Sequence, residues 1–203
     1  VELLPKASEK ALLQAPEVFE CKGYERHIDL RWKGESKGLK YYKIYRSLNG
    51  GEFKAVGIAK PWSDRYTDFI GKVGVKASYK VSAVDYGFNE SACSNIVSSS
   101  TRPMTDEELL DMVQEANFRY YWEGAEPNSG LARENIPGRS DMIACGASGF
   151  GIMTVLVGID RGFITREQGV ERFLKITSFL EKADRFHGAF AHFMDGTTGK
   201  VVP

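Results

Sequence analysis

The sequence predicts a multi-domain β + α protein, in which a β-sandwich is followed by the start of a ring of helices. Three observations lead to this prediction. The length of 203 residues suits one large or two small domains. Apolar residues recur with a period of two before Pro103 and with a helical period after it. A long apolar segment in the second half needs more cover than the neighbouring residues supply.

The composition is typical of a folded protein, with 42% hydrophobic and 27% charged residues. The 27 Lys and Arg residues balance the 27 Asp and Glu residues. Proteins that hold nucleic acid by its phosphates normally carry a basic excess, so we expect no nucleic-acid partner. The cysteines, Cys21, Cys93 and Cys145, form no Cys-x-x-Cys pair, which argues against a structural zinc site.

The first half shows the alternation of half-buried strands. One face of each predicted strand is apolar or aromatic, and these faces are formed by Ile28, Leu30 and Trp32, by Tyr42 and Ile44, and by Tyr79, Val81 and Ala83. Turn signals separate the strands, and Asn49-Gly50 is a strong hairpin signal. Roughly seven short strands over about 85 residues indicate an antiparallel β-sandwich.

This half resembles a fibronectin type III domain over residues 16–103, through residues 30–32, 42–46 and 79–85. The resemblance implies that Tyr79 is a corner tyrosine whose hydroxyl returns to the backbone. It also places Cys21 and Cys93 near opposite poles, too far apart for a disulfide. We therefore expect a tail at residues 1–15, a sandwich at 16–102, and a linker formed by the run from Ser98 to Thr101.

The second half, residues 103–203, has helix signals. Thr105 with Glu108, and Thr165 with Gln168, form capping boxes for helices that run to about Tyr121 and Lys182. Between them lies an apolar helix, predicted for residues 147–161 and ended by Gly162.

The uncharged stretch of this apolar segment, residues 142–159, just reaches the length of a membrane span. Its four glycines and the flanking Asp141 and Asp160 favour a buried core helix instead, and we expect no membrane span. A helix that is apolar all round must be covered on all sides. Because three helices are too few for this, we expect the chain to be the front of a larger helical domain. A start at Val1, without a visible signal peptide, suggests a trimmed N-terminus.

The loops of the second half combine carboxylates, arginines, histidines and aromatic residues. Aromatic faces bind sugar rings, charged groups bind hydroxyls, and paired carboxylates can cleave glycosidic bonds. We expect one cleft at one end of the helices, because alternate links of an antiparallel ring emerge at the same end. Its predicted substrate-binding residues are Trp122, Glu123, Arg133, Glu134, Asp141, His187 and His192. Glu134 and Asp141 are the catalytic candidates, although the acid and the base are not assigned.

Each candidate also has a structural alternative. Trp122 can be core packing, and Glu123 a solvated helix end. Arg133 and Glu134 can pair only with each other, and Asp141 can cap the next helix. His187 and His192 have no accompanying ligand cluster, so we expect no metal.

Five short segments together resemble the bacterial glucoamylase-like family, which includes endo-β-1,2-glucanases. They are residues 118–123, 130–134, 148–151, 161–162 and 187–193. The resemblance implies an (α/α)6 toroid and a glycoside hydrolase that acts on a β-glucan or related oligosaccharide without a cofactor. It also implies an exported protein, periplasmic or at the cell surface, whose partners are the saccharide and the remainder of the toroid beyond residue 203. The family's later acidic segments have no counterpart here.

Two alternatives remain. One is a non-catalytic glycan-binding or assembly protein that uses the same aromatic and charged loops. The other is an adhesion-type protein that works through the sandwich alone, which leaves those loops unexplained.

Overall fold

A computed structural model describes residues 13–202 of the chain. The chain divides into two compact units, with the boundary between Met104 and Thr105. Most of the tail predicted for residues 1–15 lies outside the described residues. A β-sandwich followed by a helical unit confirms the predicted fold class.

The first unit is a fibronectin III-like sandwich of two antiparallel sheets. One sheet has the strand order β1-β2-β5 and the other has the order β4-β3-β6-β7. The strands are β1 (Glu17–Gly23), β2 (His27–Lys33), β3 (Leu39–Leu48), β4 (Lys54–Ala59), β5 (Arg65–Phe69), β6 (Lys76–Asp85) and β7 (Val97–Ser100). The predicted hairpin joins β3 to β4, where Asn49 and Gly50 both have positive φ (49° and 80°), as its tight turn requires.

The alternating residues meet between the two sheets, as predicted. Ile28, Leu30, Ile44, Tyr79 and Val81 have no accessible surface. The ring of Trp32, which is 1% exposed, meets the ring of Tyr42 edge to face, with centroids 5.3 Å apart. This arrangement closes the core within the unit and adds aromatic contact energy to the buried area.

A buried polar triad joins the two sheets. The Tyr79 hydroxyl donates to Asp68 Oδ2 at 2.6 Å, and Arg46 Nη1 donates to both Asp68 oxygens at 2.9 and 3.0 Å. Asp68 lies on β5 of one sheet, while Arg46 and Tyr79 lie on β3 and β6 of the other. The expected bond from Tyr79 to the backbone is therefore wrong, because the buried carboxylate is the stronger acceptor.

The predicted linker, from Ser98 to Thr101, is also wrong. Ser98, Ser99 and Ser100 belong to β7 and pair with β6. Thr101 is buried; its hydroxyl donates to Lys72 O at 2.7 Å and accepts from Val75 N at 3.0 Å. A serine run is typical of linkers, but here it forms a sheet edge with partly exposed side chains, where small polar residues are tolerated.

The second unit contains the three predicted helices. They are α1 (Asp106–Trp122), α2 (Cys145–Asp160) and α3 (Arg166–Leu180). Both capping boxes are present, with Thr105 paired to Glu108 and Thr165 paired to Gln168. Helix α2 begins two residues earlier than predicted, after Ala144, without a side-chain cap, and Gly162 follows its end with a positive φ of 71°.

Helix α2 packs antiparallel to both neighbours. At its C-terminal end, Arg161 Nη1 donates to Glu107 at 2.6 Å and Asp111 at 2.8 Å, near the start of α1. A Cβ at Gly158 would lie 2.4 Å from the Phe118 ring, so only glycine permits this approach of α1 to α2. A Cβ at Gly169 of α3 would likewise lie 2.5 Å from the Ile159 side chain of α2. A Cβ at Gly151 would lie 3.1 Å from the Tyr121 ring, whereas the Cβ positions of Gly146 and Gly149 have no neighbouring element within 4 Å among the described residues.

The opposite face of α2 is apolar and exposed. Phe150 is 71% exposed and Met153 is 60% exposed, and Leu156 lies on the same side of the helix. Within residues 13–202, no helix has the length and apolar character needed to cross a membrane.

Candidate functional site

A small sheet forms where the helix-connecting loops meet. Strand β8 (Met142–Ala144) runs directly into α2 and pairs with β11 (Phe193–Asp195). On its other side β8 bonds to residues 132–134, through Ala144 N to Ala132 O at 3.1 Å and Glu134 N to Met142 O at 3.2 Å. This sheet holds four of the seven candidate residues in or next to its strands. The sequence had indicated only loops here, because each strand is too short to show a period.

Arg133 and Glu134 lie next to each other in this sheet. The Tyr120 hydroxyl from α1 contacts both carbonyl oxygens, at 3.1 Å for Arg133 and 3.3 Å for Glu134. Arg133 Nε is buried without a hydrogen-bond partner among the described residues, and the Glu134 side chain is exposed. No ion pair joins Arg133 to Glu134 within residues 13–202, which disfavours the alternative that they serve only each other. A buried donor without an acceptor is costly, so Arg133 is a strong candidate for ligand contact.

Asp141 is bound by a neighbouring arginine rather than used as a helix cap. Arg139 Nε and Nη2 donate to its two oxygens at 3.0 and 2.9 Å. This hydrogen bonding lowers the pKa of the Asp141 carboxyl. The cap alternative is wrong, because Ala144 occupies the N-cap position of α2. Asp141 therefore stays ionised near neutral pH, where it can accept hydrogen bonds but is a poor proton donor.

Asp195 is a site carboxylate that the sequence analysis missed. Met142 of β8 has Glu134 opposite it on one neighbouring segment and Asp195 opposite it on the other, so the two acidic residues flank β8. The backbone N–H groups of Thr198 and Thr197 donate to the Asp195 carboxylate at 2.8 Å and lower its pKa. The glycine-rich composition of residues 195–199 indicates a turn, but nothing in it points to an acidic neighbour for Glu134.

Glu126 is a second missed carboxylate, and it is 2% exposed. It accepts from the backbone N–H and side-chain amide of Asn128 and from the N–H and hydroxyl of Ser129, at 2.7–3.1 Å. A Cβ at Gly196 would lie 2.5 Å from Glu126 Cγ, so only glycine fits beside it. Glu126 thus anchors the loop after α1 to the turn after β11.

Trp122 has a packing environment. Its ring lies 5.7 Å from the Phe118 ring, and the Arg172 guanidinium carbon lies 4.1 Å from its centroid. Arg172 also donates to the Trp122 carbonyl at 3.0 Å. These contacts favour the packing alternative over sugar stacking. Glu123 is exposed at the C-terminus of α1, where its N–H donates to Arg119 O.

The two histidines lie apart from the carboxylates. His187 is at the exposed tip of the hairpin formed by β9 (Arg185–Phe186) and β10 (Ala189–Phe190), with a positive φ of 49°. The His192 carbonyl accepts from Cys145 N at 2.9 Å, at the end of the small sheet opposite Glu134. Within the described part of the chain, no group of three His, Cys, Asp or Glu residues is arranged to hold a metal.

A cleft of about 490 Å³ opens nearby, but none of the seven candidates lines it. It is formed by Asn128, Lys175, Ser178, Phe179, Lys182, Thr197 and Thr198. The structure therefore brings Arg133, Glu134 and Asp141 together around β8, while a single cleft that includes all seven residues stays a prediction.

Comparison with known proteins gives two close matches. The whole chain is 68% identical to part of the exo β-1,2-glucooligosaccharide sophorohydrolase (non-reducing end) of Parabacteroides distasonis. The crystal structure of a β-1,2-glucanase from the same organism covers 95% of the chain at 68% identity, with a TM-score of 0.85. The chain is a close homologue of this β-1,2-glucanase. The family resemblance drawn from the sequence is thereby confirmed.

The chain spans 28% of the length of the sophorohydrolase and 27% of the β-1,2-glucanase structure. Half of the chain is also similar, at 51% identity and a TM-score of 0.47, to an endo-β-1,2-glucanase from Chitinophaga pinensis in complex with sophorotriose and glucose; this half covers 26% of that structure. No protein-family model matches the chain.

Proposed function

We propose that this chain is part of a glycoside hydrolase that cleaves β-1,2-linked glucooligosaccharides. The observation that carries the proposal is the 68% identity, over the whole chain, to a protein named as a sophorohydrolase. The arrangement around β8 also supports it, because Arg133, whose Nε has no hydrogen-bond partner among the described residues, and the carboxylates Glu134 and Asp141 lie in or next to one small sheet.

In this proposal, Arg133 orients a sugar oxygen through its buried Nε, and Glu134 accepts from a hydroxyl or from the attacking water. Asp141 contributes negative charge and hydrogen-bond acceptance. Hydrolysis proceeds by water attack at the anomeric carbon, with two carboxyl groups and no cofactor.

The general acid of such a reaction needs a raised pKa so that it keeps its proton until transfer. Asp141 and Asp195 both have lowered pKa values, the first through Arg139 and the second through the backbone of residues 197 and 198. Neither carboxylate therefore suits the role of general acid, and we propose that this group lies in the remainder of the helical domain.

The test uses the full-length protein that contains this chain. Arg133→Ala and Glu134→Gln are each expected to lower kcat/KM on β-1,2-glucooligosaccharides by about 100-fold, while the melting temperature changes by less than about 2 °C. The matched control is Glu171→Gln, which makes the same change at an exposed glutamate on α3, away from the small sheet. It is expected to retain full activity.

Unchanged turnover in both site variants would remove Arg133 and Glu134 from the mechanism. Binding of β-1,2-glucan without any hydrolysis by the full-length protein would instead support the glycan-binding alternative. The exported location is also part of this proposal, and cell fractionation with an antibody against the protein tests it.

A further inference from the structure

A second cleft, of about 420 Å³, lies in the sandwich unit. It opens between β1, β2 and the connection from β4 to β5. Its volume is within the range of small-molecule sites. The residues that matter to the argument are Phe19, Arg31, Trp32, Trp62 and Asp64.

Two large aromatic side chains line this cleft and face solvent. Trp62 is 77% exposed and Phe19 is 47% exposed. Cations surround both rings: Lys60 Nζ lies 5.2 Å from the Trp62 ring centroid, and the Arg31 guanidinium carbon lies 5.5 Å from that of Phe19. Clustered exposed aromatic residues around a cleft, unlike scattered ones, point to a binding surface.

The floor of the cleft carries polar groups. Trp32 is 1% exposed, and a hydrogen bond joins its side chain to the Tyr42 side chain, which lines the same cleft. The Arg31 guanidinium lies 3.4 Å from Asp64 and 3.9 Å from Glu20, while its buried Nε has no hydrogen-bond partner within residues 13–202. Nearly all buried polar groups in folded proteins are satisfied, so the Arg31 guanidinium and Asp64 mark the polar side of a ligand site.

The ligand must combine an apolar face with oxygen acceptors and hydroxyl donors. Asp64 lies 3.4 Å from Arg31 and offsets its charge, while Lys33 also lines the cleft, so an acidic polysaccharide has to be tested beside the neutral ones. A hexopyranose ring meets all the requirements: its C–H face stacks on an aromatic ring and its hydroxyls both accept and donate.

We propose that this cleft is a binding site for a neutral hexopyranose unit of a polysaccharide. Trp62 and Phe19 stack against the sugar rings, the Arg31 guanidinium donates to a hydroxyl oxygen, and Asp64 accepts from a hydroxyl. Joined in one chain with a hydrolytic site, such a site raises the effective concentration of polysaccharide at the enzyme. The choice of β-1,2-glucan as first probe rests on the function proposed above.

The test is affinity electrophoresis of the full-length protein in gels that contain β-1,2-glucan, β-1,3-glucan, mannan or polygalacturonate. Trp62→Ala is expected to weaken retardation by at least one neutral polysaccharide about tenfold, since aromatic anchors dominate binding. Its kcat/KM on a short soluble oligosaccharide is expected to stay within about twofold of wild type, because the hydrolytic site is untouched.

Phe69→Ala, which removes another strongly exposed aromatic residue of the sandwich, is the matched control and is expected to bind like wild type. Asp64→Asn removes the carboxylate acceptor of the cleft at a side chain that is 55% exposed, so it is expected to weaken binding several-fold. This variant connects any loss of binding to the cleft rather than to Trp62 alone.

The proposal is overturned if Trp62→Ala and Phe69→Ala bind every polysaccharide alike, or if only polygalacturonate is retarded. A large drop in melting temperature for Trp62→Ala with unchanged binding also overturns it, since Trp62 would then be a packing residue. If the full-length protein fails to cleave β-1,2-glucan but Trp62 still governs binding to a neutral polysaccharide, the function proposed above fails and this inference stands.

Discussion

The two units differ in how completely each encloses the apolar faces of its central elements. In the sandwich, Ile28, Leu30 and Trp32 on β2 are all at most 1% exposed. In the helical unit, Phe150 on α2 and Leu174 on α3 are 71% and 62% exposed. The sandwich is two sheets that face each other, so each supplies the partner of the other. Three helices cannot surround one another, and a helix that is apolar all round needs neighbours on every side.

The units also use buried carboxylates differently. Asp68 connects residues of both sheets, since Arg46 and Tyr79 approach it from across the sandwich. The Glu126 carboxylate accepts from Asn128 and Ser129, close to it in sequence, and lies beside Gly196. One carboxylate therefore stabilises a whole unit, while the other fixes a loop.

The largest expected effect comes from separating the units. We expect residues 16–102 to unfold cooperatively as an isolated fragment, because their core is closed. Residues 104–203 alone are expected to be molten or aggregated, because the apolar face of α2 is uncovered. Calorimetry and size-exclusion chromatography of both fragments check this. A sharp, monomeric transition from residues 104–203 would show that the exposed face needs no partner.

A smaller effect is expected when the triad between the sheets is broken. Asp68→Asn should lower the free energy of unfolding of the sandwich by about 3 kcal/mol, because it removes the carboxylate that pairs with Arg46 and Tyr79. Urea denaturation measures this. Asp64→Asn, the same change at a carboxylate whose side chain is 55% exposed, is the control and should cost less than about 1 kcal/mol. Equal costs for the two variants would mean that Asp68 does not join the sheets energetically.

The smallest effect concerns alkaline pH. Burial, and then the hydrogen bond to Asp68, raise the pKa of Tyr79 well above its ordinary value of 10.0. Its contribution to stability is therefore fully present below pH 10 and is lost as the pH rises further, because only the unfolded chain can release that proton. We expect the free energy of unfolding to fall less steeply above pH 10 in Tyr79→Phe. Part of the pH dependence of the free energy of unfolding remains in the variant, because burial also raises the pKa of other tyrosines, such as Tyr42. Identical slopes for wild type and variant would contradict the prediction.

Local patterns predicted the elements well but not their partners. Both capping boxes and the Asn49-Gly50 turn form as expected, since each depends on residues within a few positions. The serine run at residues 98–100 was wrongly predicted to be a linker, because its pairing with β6 depends on residues twenty or more positions away.

The candidate site shows the same division. Arg133, Glu134 and Asp141 could be proposed from residue types alone, and the structure places them around one short strand. Asp195 and Glu126 were missed, since their roles depend on a sheet and a buried loop that no local period reveals. Trp122, by contrast, was predicted to bind substrate from its residue type, but in the structure its ring packs against Phe118 and Arg172.

The sequence by itself determined the two halves, the inward faces of the strands and the limits of the helices, because periodicity and capping act over a few residues. Only the tertiary structure decided which helix faces are covered, which hydroxyl meets Asp68, and which residues line the sandwich cleft. These features depend on atoms brought together from distant parts of the chain, and no short window of sequence contains both members of such a contact.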